Sequence, residues 1–181
     1  MESSRAKFQE SPPLKTLRIF NLAQIFLRLL AISTALAAAI AMRTAKQSIV
    51  LFGTPYEAKS SYSTSFKFFI GGNAVACGCS ILSLLYVFFL VRQGSSPNKY
   101  FFLFIHDLVM MSLLMSAAAA ATAEAYIGRH GNKHSGWTAI CHNFGKFCNK
   151  ITLSLSFSYF SFLFMMILTI ISARSSTQIQ A

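Results

Sequence analysis

Residues 100 to 127 read YFFLFIHDLVMMSLLMSAAAAATAEAYI. The run exceeds the roughly 20 apolar residues a helix needs to cross a hydrocarbon core, yet Asp107 lies near its start. A carboxylate in hydrocarbon is rare and costly, so it marks a site with a partner to be found. Glu124, near the other end, lines up with Ser112, Ser116 and Ala120 at spacings of four. Those residues share a helix face and give a polar stripe against which a partner helix can pack.

Working outward, three more runs have the same character. Residues 68–91 and 151–173 contain no charged residue, and 21–42 contains one, Arg28. All four prolines (Pro12, Pro13, Pro55, Pro97) fall outside the four runs, as uninterrupted helices require. A chain of 181 residues, 54% hydrophobic and only 12% charged, departs from soluble composition in the same direction. The fold class is therefore an all-α integral membrane protein, a four-transmembrane-helix antiparallel bundle. Its spans are 21–42, 68–91, 100–127 and 151–173, joined by loops 43–67 and 128–150 and flanked by polar tails 1–20 and 174–181. A basic leader, an apolar run and Ala39-Ile40-Ala41 also meet part of the pattern of a cleaved signal peptide. The length of that run and Arg28 within it favour a retained span.

Charge bias does not orient the bundle: the tails and the 92–99 connection hold seven Lys and Arg, the two long loops eight. The cysteines do better. Cys141 and Cys148 sit close enough in the second long loop to bridge, and bridges persist on the exoplasmic face. The long loops are then exoplasmic and both termini cytoplasmic.

In such a bundle the first and third spans run in the same direction. Arg28 is seven residues past Asn21 and Asp107 seven past Tyr100, placing both about 10 Å in from one membrane face. Opposite charges at one depth offset much of the cost each would bear alone. The expectation is an intramembrane ion pair, Arg28–Asp107. A snorkelling Arg28, or a proton path through Asp107 and the adjacent His106, are the competing readings; adjacent residues on a helix face different ways. Ala31, Ala35 and Ala39 continue from Arg28 at helical spacing, and Gly72, Ala76 and Ser80 recur at intervals of four on the second span. Such small-residue faces let neighbouring helices approach closely.

Cys77 and Cys79 are two residues apart on one span and point to different faces, as ordinary buried residues do. His130, His134 and His142 share the second long loop with Cys141 and Cys148, but their spacing fits no compact zinc pattern. The residues therefore assign no metal and no cofactor. There is no phosphate-binding glycine loop, metalloprotease His-Glu pair or nucleophile elbow, and five acidic residues in all leave little for acid–base work. Enzyme activity is not expected. The net charge of +11 is spread over tails and loops with no basic helix, so nucleic acid is not the expected partner.

Arg28 in the first span, Asp107 in the third, and the segment His134-Ser135-Gly136-Trp137-Thr138-Ala139-Ile140-Cys141 continuing to Phe147-Cys148 carry a resemblance over residues 20–173. The chain resembles the plant Casparian strip membrane domain protein-like (CASP-like) family, four-span proteins of MARVEL-like design. The first long loop (RTAKQSIVLFGTPYEAKSSYSTSFK) lacks the Glu-Ser-Leu-Pro-Phe-Phe-like run of the Casparian strip proteins proper, so the chain is similar to the broader CASP-like branch. The resemblance implies a plasma-membrane scaffold that forms homodimers and heterodimers with related proteins, oligomerises laterally and guides local cell-wall modification by secreted enzymes. Gly136, Trp137 and Phe147 then become contact candidates on the exoplasmic loop. The alternative from another class is a small ion, proton or solute transporter centred on Arg28 and Asp107.

Overall fold

The structure, a computed structural model, describes residues 14–51, 53–93 and 97–180. Most of the expected N-terminal tail, with its Pro12-Pro13 break, and the centre of the 92–99 connection lie outside these. Four long helices dominate: α1 (Leu14–Arg43), α2 (Thr64–Gln93), α3 (Pro97–His130) and α4 (Gly145–Gln180). Each contains a stretch long and apolar enough to cross a membrane. The protein is a four-span, multi-pass membrane protein.

The helices outrun the spans read from hydropathy. The polar segment from 174, expected to be a tail, continues α4 to Gln180, because no Gly or Pro follows Arg174 to stop it. At the other end α1 begins directly after Pro13, a residue suited to helix starts and not to helix interiors. The first long loop is also more ordered than its polar composition suggested. Strands β1 (Lys46–Leu51) and β2 (Thr54–Lys59) pair antiparallel, with Leu51 opposite Thr54 across a two-residue connection. Gly53 takes φ 81° in that turn, a conformation glycine adopts without penalty. A single 3-10 turn, Ser60–Tyr62, leads into α2.

In cross-section the bundle is a square: α1 and α3 each pack against both α2 and α4, leaving α1 and α3 on a diagonal. The interior is built from small residues, with Ala31, Ala35, Ala38, Ala117, Ala118 and Ala121 almost wholly buried. Leu22, Phe26, Leu82, Phe89, Phe102 and Phe160 instead point outward. That inversion suits a lipid solvent, in which burying a large apolar side chain gains little and close backbone approach supplies the packing energy. Gly72 shows how close: a Cβ built on it would lie 2.9 Å from the Cβ of Ala117 on α3. Gly72→Ala is expected to push α2 and α3 apart, destabilising the bundle by about 1–3 kcal/mol. The check is the thermal midpoint in detergent; an unchanged midpoint would mean the two helices separate freely.

Candidate functional site

Arg28 reaches across the diagonal of the square to Asp107. Its Nη1 donates to Oδ1 at 2.9 Å and its Nη2 to Oδ2 at 2.7 Å. This two-pronged arrangement is the strongest geometry the pair can adopt. The other two helices complete it. Nη1 also donates to Ser83 Oγ of α2 at 2.6 Å, and Ser172 Oγ of α4 donates to Oδ2 at 3.2 Å. Ser83 passes its own hydroxyl proton to the Ser80 carbonyl at 2.9 Å. Each of the four helices thus contributes at least one side chain to a single cluster, and the paired Arg28 and Asp107 are both 0% exposed.

His106 sits against the cluster as well, with Nδ1 3.2 Å from Asp107 Oδ1. The expectation that adjacent residues on a helix do not meet fails here, because the imidazole is long enough to fold back over its neighbour. Gln24, one helical turn before Arg28, is buried. Its amide atoms, together with Arg28 Nε, have no hydrogen-bond partner among the described residues.

Above this cluster a second polar seam ties α4 to its neighbours. Ser158 Oγ donates to Asn73 Oδ1 at 3.0 Å, and Asn73 Nδ2 donates to the Phe69 carbonyl at 2.9 Å. Ser161 Oγ donates to the Ala31 carbonyl at 3.0 Å; a side chain reaches another helix's backbone only where that helix is small. The alanine face of Ala31, Ala35 and Ala39 is buried in the core, as is the Gly72, Ala76 and Ser80 face. Ser112 and Ser116, expected to line a partner-facing stripe with Ala120 and Glu124, are exposed and bond back to carbonyls of their own helix. Glu124 turns inward and accepts the Ser63 hydroxyl proton. The stripe therefore divides, with Glu124 spent inside the chain.

At the end of the bundle away from the chain termini, Cys141 and Cys148 are joined, with Cα atoms 5.7 Å apart. The bridge withdraws both sulfurs from any metal set with the loop histidines. The loop is further pinned by Ile140 and Cys141 amides on the Gly128 carbonyl, and by paired bonds between Asn132 and Trp137. Gly131, at φ 71°, lets this turn form; a Cβ there would lie 2.7 Å from the Trp137 carbonyl oxygen. Gly136 and Trp137 stand exposed. Phe147 does not: it is 4% exposed within the core cluster that holds Met42, Phe66 and Phe69. It is corrected from a contact candidate to a core residue, since it falls on the buried face of the first turn of α4. The hairpin is fastened to the same end by the Phe147 amide on Gln47 Oε1 at 2.9 Å, and the link between α1 and β1 by Lys150 Nζ on the Thr44 carbonyl at 3.1 Å.

Between α3, α4 and this loop lies a half-open groove of about 400 Å³. Phe66, Phe147 and Ile151 line its floor, Glu124 its inner wall, and Arg129, Trp137, Thr138 and Thr152 its rim.

The sequence profile of the Casparian strip membrane protein domain matches residues 18–164. Among curated proteins the chain is similar to CASP-like protein 1F1 of Vitis vinifera, at 52% identity over 99% of this chain and 87% of that one. It is similar also to CASP-like protein 1F1 of Populus trichocarpa, at 48% over the whole of both, and of Ricinus communis, at 46% over 99% of each. No solved structure matches the chain.

Proposed function

We propose, from the premise that the chain belongs to the Casparian strip membrane protein domain family, that it is a non-enzymatic scaffold of the plasma membrane. Its termini lie in the cytoplasm and the bridged loop outside. It assembles laterally, with itself and with related proteins, and holds the exoplasmic loop as a contact surface for secreted wall-modifying enzymes. Gly136 and Trp137 lie within the exposed stretch 133–140 of that surface.

One observation carries the choice of scaffold over transporter. Among the described residues the two charges deep in the spans, each at zero exposure, are engaged by each other and by Ser83, Ser172 and His106. A transport path needs its charged groups to exchange partners with water or an ion. Here the same groups close the centre of the bundle. The small-residue faces are spent inside the bundle, and the apolar perimeter, with Phe26, Leu82 and Phe160 outward, is the surface left for lateral packing.

Reconstitution separates the two readings. Liposomes carrying the protein are expected to show no proton or ion flux above empty vesicles, while the tagged protein in its native membrane recovers slowly after photobleaching. Flux that Asp107→Asn abolishes would overturn the scaffold reading.

A further inference from the structure

The groove beside the bridged loop has an unusual set of groups for an apolar recess. Arg129 stands at the rim, steadied by a 3.4 Å bond from its Nη2 to Thr152 Oγ1. Glu124 lies five residues deeper along α3, about 7 Å down the helix, with one oxygen engaged by Ser63. Trp137 offers a broad ring at 60% exposure, and Thr138 and Thr152 belong to the lining, the Thr152 hydroxyl also donating to the Cys148 carbonyl at 3.1 Å. The recess is of ligand size.

The surroundings bias what can enter. The hairpin loop (43–67) and the bridged loop (128–150) together hold eight Lys and Arg against one Glu. That one, Glu57, is paired with Lys59 at 2.7 Å, where it raises the lysine's pKa above the ordinary value by hydrogen bonding; Glu124 lies apart from both loops, on α3. A field of one sign around a low-dielectric cleft concentrates ligands of the opposite sign.

We propose that this groove is a binding site for an acidic sugar unit of an extracellular polymer, a hexuronate. The carboxylate sits on Arg129 at the rim, where guanidinium forks match carboxylates. The apolar face of the pyranose stacks on Trp137. The ring hydroxyls point inward as donors to the free oxygen of Glu124 and as partners for Thr138 and Thr152. An acid below a base suits a ligand that is anionic at one end and hydroxyl-rich at the other. A lipid phosphate would meet Arg129 but leave Glu124 facing hydrocarbon. This inference rests on the reading that the bridged loop faces outside the cell.

The test uses the full-length protein, one copy per phosphatidylcholine nanodisc, titrated with a fluorescent oligogalacturonide and with its methyl-esterified form. Saturable binding to the acid form is expected, weakening as salt screens the field. Arg129→Gln, Trp137→Ala and esterification are each expected to weaken it about tenfold or more, on the scale of one lost charge-assisted contact. Equal binding of the esterified oligomer would overturn the site. So would wild-type affinity in both variants when their thermal midpoints match the wild type. A parallel arm with phosphatidylserine in the discs tests the lipid occupant: retained phosphatidylserine, lost in Arg129→Gln, without oligomer binding would also overturn it. Because each disc holds one copy, binding does not depend on lateral assembly. Absent self-association with intact binding counts against the scaffold reading alone.

Discussion

Asp107→Ala is expected to be the most damaging single substitution in the chain, destabilising the bundle by about 3–5 kcal/mol. It strands a guanidinium that cannot give up its proton at a point where Arg28 is 0% exposed. Arg28→Ala should do less harm, because Ser172 and His106 remain beside the Asp107 carboxylate to bond it. Replacing both, Arg28→Met with Asp107→Leu, should be milder than Asp107→Ala, since no buried charge is left over. Thermal midpoints of the three proteins in detergent give the order directly. A double replacement as damaging as Asp107→Ala would mean that the hydrogen bonds, not the charge balance, set the cost.

The second large effect is expected at the bridge. Closing the short loop between Cys141 and Cys148 stabilises by about 2–3 kcal/mol, and it holds the segment whose amides bond the Gly128 carbonyl. Cys141→Ser combined with Cys148→Ser should lower the thermal midpoint and make the segment 131–144 an early site of proteolytic cleavage. A thiol reductant should reproduce both effects in the wild type and change nothing in the variant. If the variant melts and cleaves like the wild type, the backbone bonds alone hold the loop.

Arg28 and Asp107 could be read from the sequence because charges are so scarce in the spans that each draws attention to the other. Ser83 and Ser172 could not. Serine is common in spans, and its role depends on the rotation of each helix, which hydropathy does not specify. Helix α4 did carry a legible signal: Ser154, Ser158, Ser161, Thr169 and Ser172 fall at spacings that bring them to one buried face. In a helix surrounded by lipid, a polar stripe of that period marks the side turned toward its neighbours. The hairpin was hidden because Pro55 and the lysines of 43–67 read as loop, although Ser48 to Leu51 has strand character and Gly53 supplies the turn. Phe147 was misjudged for a different reason. Its neighbours in sequence belong to an exposed loop, but α4 already starts at Gly145, and one turn of helix is enough to bury it.

The groove is assembled from parts of four segments that no spacing connects: Phe66 near the start of α2, Glu124 and Arg129 on α3, Trp137 in the loop, and Ile151 and Thr152 on α4. Each residue alone has an ordinary explanation. Their meeting depends on the bridge and on the close approach of α3 and α4, which are tertiary facts.

The central claim is that one buried ion pair, completed from all four helices, is a joint that holds the bundle together. The most direct test is to exchange its members, Arg28→Asp with Asp107→Arg, and to compare the thermal midpoint with those of the two single substitutions. Partial recovery over both singles is predicted, because the charges again balance at one depth while Ser83 and Ser172 meet the wrong partners. A swapped protein no more stable than the worse single substitution would contradict the claim.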